Sequence, residues 1–177
     1  MFSNDIPNDK MKEIIALCES KPTMKVLCEV PFKEKTITEL DLSGKKLGVE
    51  GALVVSYYLE SNGALASVNI LANYIGVEEA NALINIMESH ESLKTLCGFS
   101  GDETELDLSN KGLTAGCAVL VANEVKNNGA ISSVNILSNG IGAEEANELT
   151  RIMATKPNLK TLCGFSGDET ELDLSNK

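Results

Sequence analysis

The sequence predicts an α/β solenoid of short parallel strands alternating with helices, and three observations lead there. The segment LKTLCGFSGDETELDLSNK occupies residues 93–111 and recurs unchanged at residues 159–177, an offset of 66 residues. That interval is too long for one hairpin and too short for an ordinary domain, so it reads as a block of stacking units. Within it, an L-x-x-L-x-L-x-x-N pattern puts Leu40, Val68, Leu96, Leu106, Val134, Leu162 and Leu172 in equivalent apolar positions, at steps of 28, 28, 10, 28, 28 and 10 residues.

The elements follow in chain order. Residues 1–7 read as a disordered start and residues 8–177 as one repeat domain, with the repeats proper at 24–177. A helix over residues 8–21 places Met11, Ile14, Ile15 and Cys18 on one stripe. No strand precedes it, so it is expected to cap the open N-terminal edge of the array. Leu27 opens the strand series thirteen residues before Leu40, joined to it by the return CEVPFKEKTITE. Each 28-residue unit then reads as strand, turn and helix, with helices near 50–61, 77–89, 116–127 and 143–155. Ala80, Leu83, Ile84 and Met87 repeat the i, i+3, i+4, i+7 stripe, as do Ala118, Val121, Ala122 and Val125. Glu78, Glu79, Glu144 and Glu145 suit the first turns of their helices, and Gly63 and Gly129 suit helix stops. The ten-residue steps leave no room for a helix, so CGFSGDETE is a tight return from one strand to the next. Eight strands in one parallel sheet result, with all helices on its outer side.

SVNILANYIGVEEANALINIM and SVNILSNGIGAEEANELTRIM resemble the ribonuclease-inhibitor-like class of leucine-rich repeat proteins. That resemblance spans nearly all of residues 8–177 and implies a horseshoe with its parallel sheet on the concave side and α-helices on the convex side. It says little of function, since the class includes enzyme inhibitors, GTPase activators, actin-filament regulators and immune sensors. Two positions depart from the pattern. Asn73 and Asn139 carry the consensus asparagine, but Lys45, Lys111 and Lys177 replace it elsewhere, and Gly98 and Gly164 take the third apolar position. The last unit stops at ELDLSNK without its helix, which suggests a piece of a longer array, or a final strand covered by self-association.

Composition narrows the function classes. The chain of 177 residues is 43% apolar and lacks any 18-residue apolar run, which excludes a membrane-spanning helix, and MFSNDIPNDK has no signal-peptide character. Cys18, Cys28, Cys97, Cys117 and Cys163 form no CxxC spacing, an odd and dispersed set that suits a reducing, cytoplasmic compartment. A net charge of −11 disfavours nucleic acid and anionic membranes and favours a basic protein partner.

Strand alternation nominates the surface such a partner would meet. If Leu40 and Leu42 point inward, Glu39, Asp41 and Ser43 point onto the concave face. Ser67, Asn69 and Leu71 follow, then Thr95, Cys97 and Phe99, then Glu105, Asp107 and Ser109, then Ser133, Asn135 and Leu137. Thr161, Cys163 and Phe165 come next, and Glu171 and Asp173 close the face. Eight strands at ~4.8 Å spacing span about 34 Å, wide enough for a protein interface. The candidate contacts are Glu39, Asp41, Asn69, Leu71, Cys97, Phe99, Glu105, Asp107, Asn135 and Leu137, with Phe99 and Leu137 as apolar anchors. Two alternatives stay open: the acids are ordinary solubilising charge, and Phe99 and Phe165 are core residues filling the space beside Gly98 and Gly164.

Catalysis finds little support. His90 is the only histidine and sits at a helix end, and Arg151, the only arginine, sits within a helix. Asp102, Glu103, Glu105 and Asp107 cluster in sequence without the spacing of a calcium loop. No GxxxxGK[ST] is present for a nucleotide. The expected protein is therefore a non-enzymatic interaction scaffold without cofactor or metal. An enzyme regulator such as a GTPase activator or ribonuclease inhibitor, or part of a larger immune-type receptor, is the alternative.

Overall fold

The computed structural model describes residues 6–166. They form a mixed α/β structure in the order α1 (Asn8–Ser20), β1 (Glu39–Asp41), α2 (Gly48–Ser61), β2 (Ser67–Asn69), α3 (Val77–Ser89), β3 (Glu105–Asp107), α4 (Ala115–Asn127), β4 (Ser133–Asn135), α5 (Ala143–Thr155) and β5 (Thr161–Leu162). The strand expected at Leu172, with Glu171 and Asp173, lies outside the described residues. So do residues 1–5; Ile6 packs half-buried against the core. No helix among the described residues is long and apolar enough to cross a membrane.

The helices stand where the apolar stripes require them. Met11, Ile15 and Cys18 are buried on α1, Ala80 and Leu83 on α3, and Ala118, Val121, Ala122 and Val125 on α4. Consecutive helices pack against one another from α1 to α5. Their ends differ from expectation. Neither Gly63 nor Gly129 adopts a left-handed conformation; instead Asn62 and Asn128 cap α2 and α4 in extended conformation. Their side-chain carbonyls accept the N–H of Ala64 (3.0 Å) and Ala130 (2.8 Å), an Asx turn that stops the helix without glycine strain. The next unit then satisfies the orphaned carbonyls. His90 bonds the Asn62 carbonyl, and Lys156, 66 residues later, donates to the carbonyls of Val125, Lys126 and Asn128. Burial lowers the Lys156 pKa.

Strands pair in parallel at the 28-residue step: Leu40 opposes Val68, Leu106 opposes Val134, and Val134 opposes Leu162. Two asparagine positions, Asn73 and Asn139, tie the turns of adjacent units together. Asn73, fully buried, donates to the carbonyls of Leu42 (2.7 Å), Ile70 (2.9 Å) and Leu71 (3.2 Å) and accepts from Leu47 N–H (3.3 Å). Asn139 repeats this with Leu108, Ile136 and Leu137, and accepts from the N–H groups of Lys111 and Leu113.

The expected single sheet is instead two: β1–β2, and β3–β4–β5. The row at Leu96 joins β2 through Val68 N–H to Thr95 O (3.0 Å) and Ile70 N–H to Leu96 O (3.1 Å), but no strand pairing links it to β3. The break falls at the ten-residue return. There the Glu103 carboxylate accepts the N–H groups of Ser100 (2.6 Å) and Gly101 (2.9 Å), folding the return onto itself. The outward N–H of Leu96 meets the Glu124 carboxylate of α4 at 2.8 Å instead of a strand. Burial pushes the Glu124 carboxyl above its ordinary pKa, opposed by the Leu96 and Cys97 N–H groups and the Thr95 hydroxyl. The row expected at Leu27 is likewise no sheet strand. Leu27 and Val30 bond each other across a tight turn with Cys28 and Glu29 both at positive φ.

The two 66-residue copies agree at some left-handed positions and part at others. Gly44 and Asn110, Lys46 and Gly112, and Ala72 and Ser138 match in positive φ. Gly48 and Thr114, Tyr74 and Gly140, and Cys97 and Cys163 do not. The last pair lies inside the identical segment, so its difference arises from neighbours rather than residues.

Candidate functional site

The sequence nominates a strand face as the protein-binding site. β1 and β3 carry their acids outward: Glu39, Asp41, Glu105 and Asp107 are exposed, while Leu106 beneath them is buried. On β2 and β4 the register sets Ser67 beside Glu39, Asn69 beside Asp41, Ser133 beside Glu105 and Asn135 beside Asp107. Asn69 and Asn135 are half-buried, and Val68 and Val134 between the outward residues are fully buried. Each acid therefore faces a neutral neighbour, which avoids like-charge repulsion across the pair.

These polar residues also shape the backbone. Asp41 Oδ1 accepts Ser43 N–H at 2.9 Å, Asn69 Oδ1 accepts Leu71 N–H at 3.2 Å, and Asn135 Oδ1 accepts Leu137 N–H at 3.2 Å. Asp107 Oδ1 accepts both the N–H (3.1 Å) and the hydroxyl (2.6 Å) of Ser109. All four rows thus leave their strand through an Asx turn. The backbone and then the side-chain bonds of Ser43 hold the Asp41 carboxyl below its usual pKa, and the hydroxyl and then the N–H of Ser109 do the same for Asp107. Strand alternation does not reveal this role. The signal was the recurrence of Asp or Asn at one position, two residues before the turn.

Three nominated face residues are not on the surface. Leu71 is 8% exposed, Cys97 2% and Thr95 3%. Alternation ends at Ile70 because the chain bends left-handed at Ala72, which turns Leu71 back onto the core. Cys97 is drawn inward because Thr95 Oγ1 accepts the N–H groups of Cys97 (3.1 Å) and Phe99 (3.2 Å). Gly98 at φ +73° then takes the bend, where a Cβ would sit 2.8 Å from that of Asn69. Burial pushes the Cys97 thiol well above its ordinary pKa, with the charge of Glu124 adding to it, so this sulfur is a packing group. Phe99 and Phe165 are half-buried and Phe99 packs against the core; Leu137 is half-buried. What remains outward is two patches, Glu39, Asp41 and Asn69 on one sheet and Glu105, Asp107 and Asn135 on the other; Leu137, expected as an anchor there, lies past the end of β4 and lines an apolar hollow instead.

The groups weighed for catalysis are occupied otherwise. His90 Nδ1 accepts the N–H groups of Ser92 (3.3 Å) and Leu93 (3.0 Å), so Nε2 carries the proton it gives to Asn62 O at 2.9 Å. The ring is a bracket between the ends of α2 and α3. Arg151 pairs with Glu148 at 2.9 Å on exposed helix surface. Among the described residues no three His, Cys, Asp or Glu side chains converge as a metal would require.

Two hollows stand apart from the strand face. One of about 310 Å³ lies among α3, α4 and α5 between Ile84, Val119, Asn123 and Glu148. The other, about 520 Å³, is mostly apolar and opens among β4, α5 and β5, where Leu137, Ile141, Leu149, Met153, Leu162 and Phe165 line it. Compared with known proteins, the chain matches no family model and no curated sequence.

Proposed function

We propose that this chain is a leucine-rich repeat solenoid of the ribonuclease-inhibitor-like class and serves as a non-catalytic protein-interaction scaffold. The repeat reading is supported by the parallel 28-residue register and by Asn73 and Asn139, which bond the turn carbonyls of adjacent units in the same way. The interaction reading rests on one observation: acids at the same position of successive blocks stay exposed while their hydrogen bonds fix them in place. Rigid, pre-oriented charge steers a partner at little ordering cost. With a net charge of −11, that partner is a basic protein, and nucleic acid and anionic membranes are repelled. Exposed Cys28, free like the other four thiols, fits work in the cytoplasm.

The test captures a partner with the wild-type chain and measures its association with the double variant Asp41→Asn, Asp107→Asn. Asparagine keeps the Asx turn, as Asn69 and Asn135 do, and removes only the charge. Association at low salt should slow several-fold and lose part of its salt dependence. Unchanged kinetics would move the interface off the strand face.

A further inference from the structure

The apolar hollow at β4, α5 and β5 is a second copy of a surface that this chain already covers elsewhere. All its lining residues except Ser138 and Thr150 are the same amino acid 66 positions earlier, where Ala72 and Ile84 stand. In the earlier copy that surface is closed. Leu71, Ile75, Ala80 and Cys97 are buried, whereas their counterparts Leu137, Ile141 and Cys163 are half-buried and Ala146 is exposed. α4 supplies the cover, packing along α3. Three contacts define how it does so. Thr114 Oγ1 donates to Ile75 O at 3.2 Å. Gly116 lies so close to the carbonyls of Ile75 and Gly76 that a Cβ there would come within 2.5 Å of them. The Glu124 carboxylate accepts Leu96 N–H at 2.8 Å.

We infer that the β4–α5–β5 hollow is a docking site for an amphipathic helix of the α4 kind: a hydroxyl and a glycine in its first turn, apolar residues at the Leu120 and Val121 positions, and a carboxylate at the Glu124 position. The occupant's chemistry is written by the internal copy. Ile141 O would receive the hydroxyl, the glycine would pass over Ile141 and Gly142, and Leu162 N–H would take the carboxylate. Leu162 N–H now bonds Phe165 O at 2.8 Å across a turn with Cys163 at φ +56°. Docking exchanges that bond for the carboxylate and carries Cys163 to the buried setting of Cys97. This site is separate from the acidic strand face and stands whether or not that face binds a protein.

The test titrates the full chain, at about 0.15 M salt to screen like charges, with a fluorescent peptide of residues 102–127. Anisotropy should show saturable one-to-one binding. A Glu124→Ala peptide should bind at least tenfold more weakly, since a charge-assisted bond to a buried N–H is lost. Thr150→Lys in the protein, an exposed rim position, should abolish binding while leaving the circular dichroism and urea midpoint unchanged. In a Cys28→Ser background, Cys163 should lose its reactivity toward a thiol reagent when the peptide is bound. Absence of saturable binding, or binding indifferent to Thr150→Lys and to Glu124→Ala, overturns the proposal. So does a dimer that Thr150→Lys dissociates and the peptide does not, because the occupant is then a second copy.

Discussion

Removing the Asn73 side chain tests whether the turn asparagines hold adjacent units together. Asn73→Ala breaks four hydrogen bonds, to the carbonyls of Leu42, Ile70 and Leu71 and from Leu47 N–H, at a fully buried position. Two N–H groups shared among three carbonyls and one accepted bond make about three full bonds, so at about 1 kcal/mol net each, with no water able to replace them, the loss is about 3 kcal/mol. Asn139→Ala removes an equivalent set plus a bond from Lys111 N–H, yet that side chain is half-buried and solvent can take over part of the work. Its cost is about 1–2 kcal/mol. Urea melts of both variants, with far-UV dichroism and tyrosine fluorescence read together, measure the pair in one fold. The order matters more than either value. Equal losses, or a loss below about 0.5 kcal/mol at Asn73, would show that the hydrogen bonds are not what joins the units.

Other outcomes follow from the buried and exposed carboxyls, the core and the thiols. The Glu124 carboxyl is raised by burial, so the folded state holds its proton over a pH range where the unfolded state has released it, and stability falls as pH rises from the ordinary glutamate range of about 4.3 through the raised folded value. Glu124→Gln should remove that part of the slope, read as the difference between variant and wild-type urea stabilities at several pH values between about 4 and 7; identical slopes would mean the carboxyl is not desolvated. Asp41 and Asp107 are depressed, so their contribution is present above the ordinary aspartate range near 3.9 and is lost only as pH falls below it. Leu83→Asp puts a charge at a fully buried site and should unfold the chain cooperatively at room temperature, with loss of dichroism as the readout. Thiol labelling of the native protein should proceed fastest at exposed Cys28, more slowly at Cys163, and at Cys97 and Cys117 only on unfolding; early modification of Cys97, detected by peptide mass mapping, would contradict its burial.

The sequence by itself determined the period, the helices and most of the core. Apolar stripes are local: Ala80 with Leu83, and Ala118 with Val121, face inward because a helix of that period has one side to bury. Asn73 and Asn139 were legible as one asparagine repeated at the 66-residue interval, and the exposed acids of β1 and β3 followed from alternation. Only the tertiary structure decided where alternation stops, so Leu71 and Cys97 left the candidate face. It also decided that the ten-residue return divides the sheet, because Glu124, from a helix 28 residues away, takes the N–H of Leu96 that a neighbouring strand would have taken. The identical LCGF segments make the limit plain. Under α4, Cys97 is buried and its neighbour Leu96 bonds a carboxylate; without such a cover among the described residues, Cys163 turns left-handed and Leu162 bonds its own turn. The same residues adopt two backbones because the partner for one buried N–H lies far along the chain, and no local pattern carries that information.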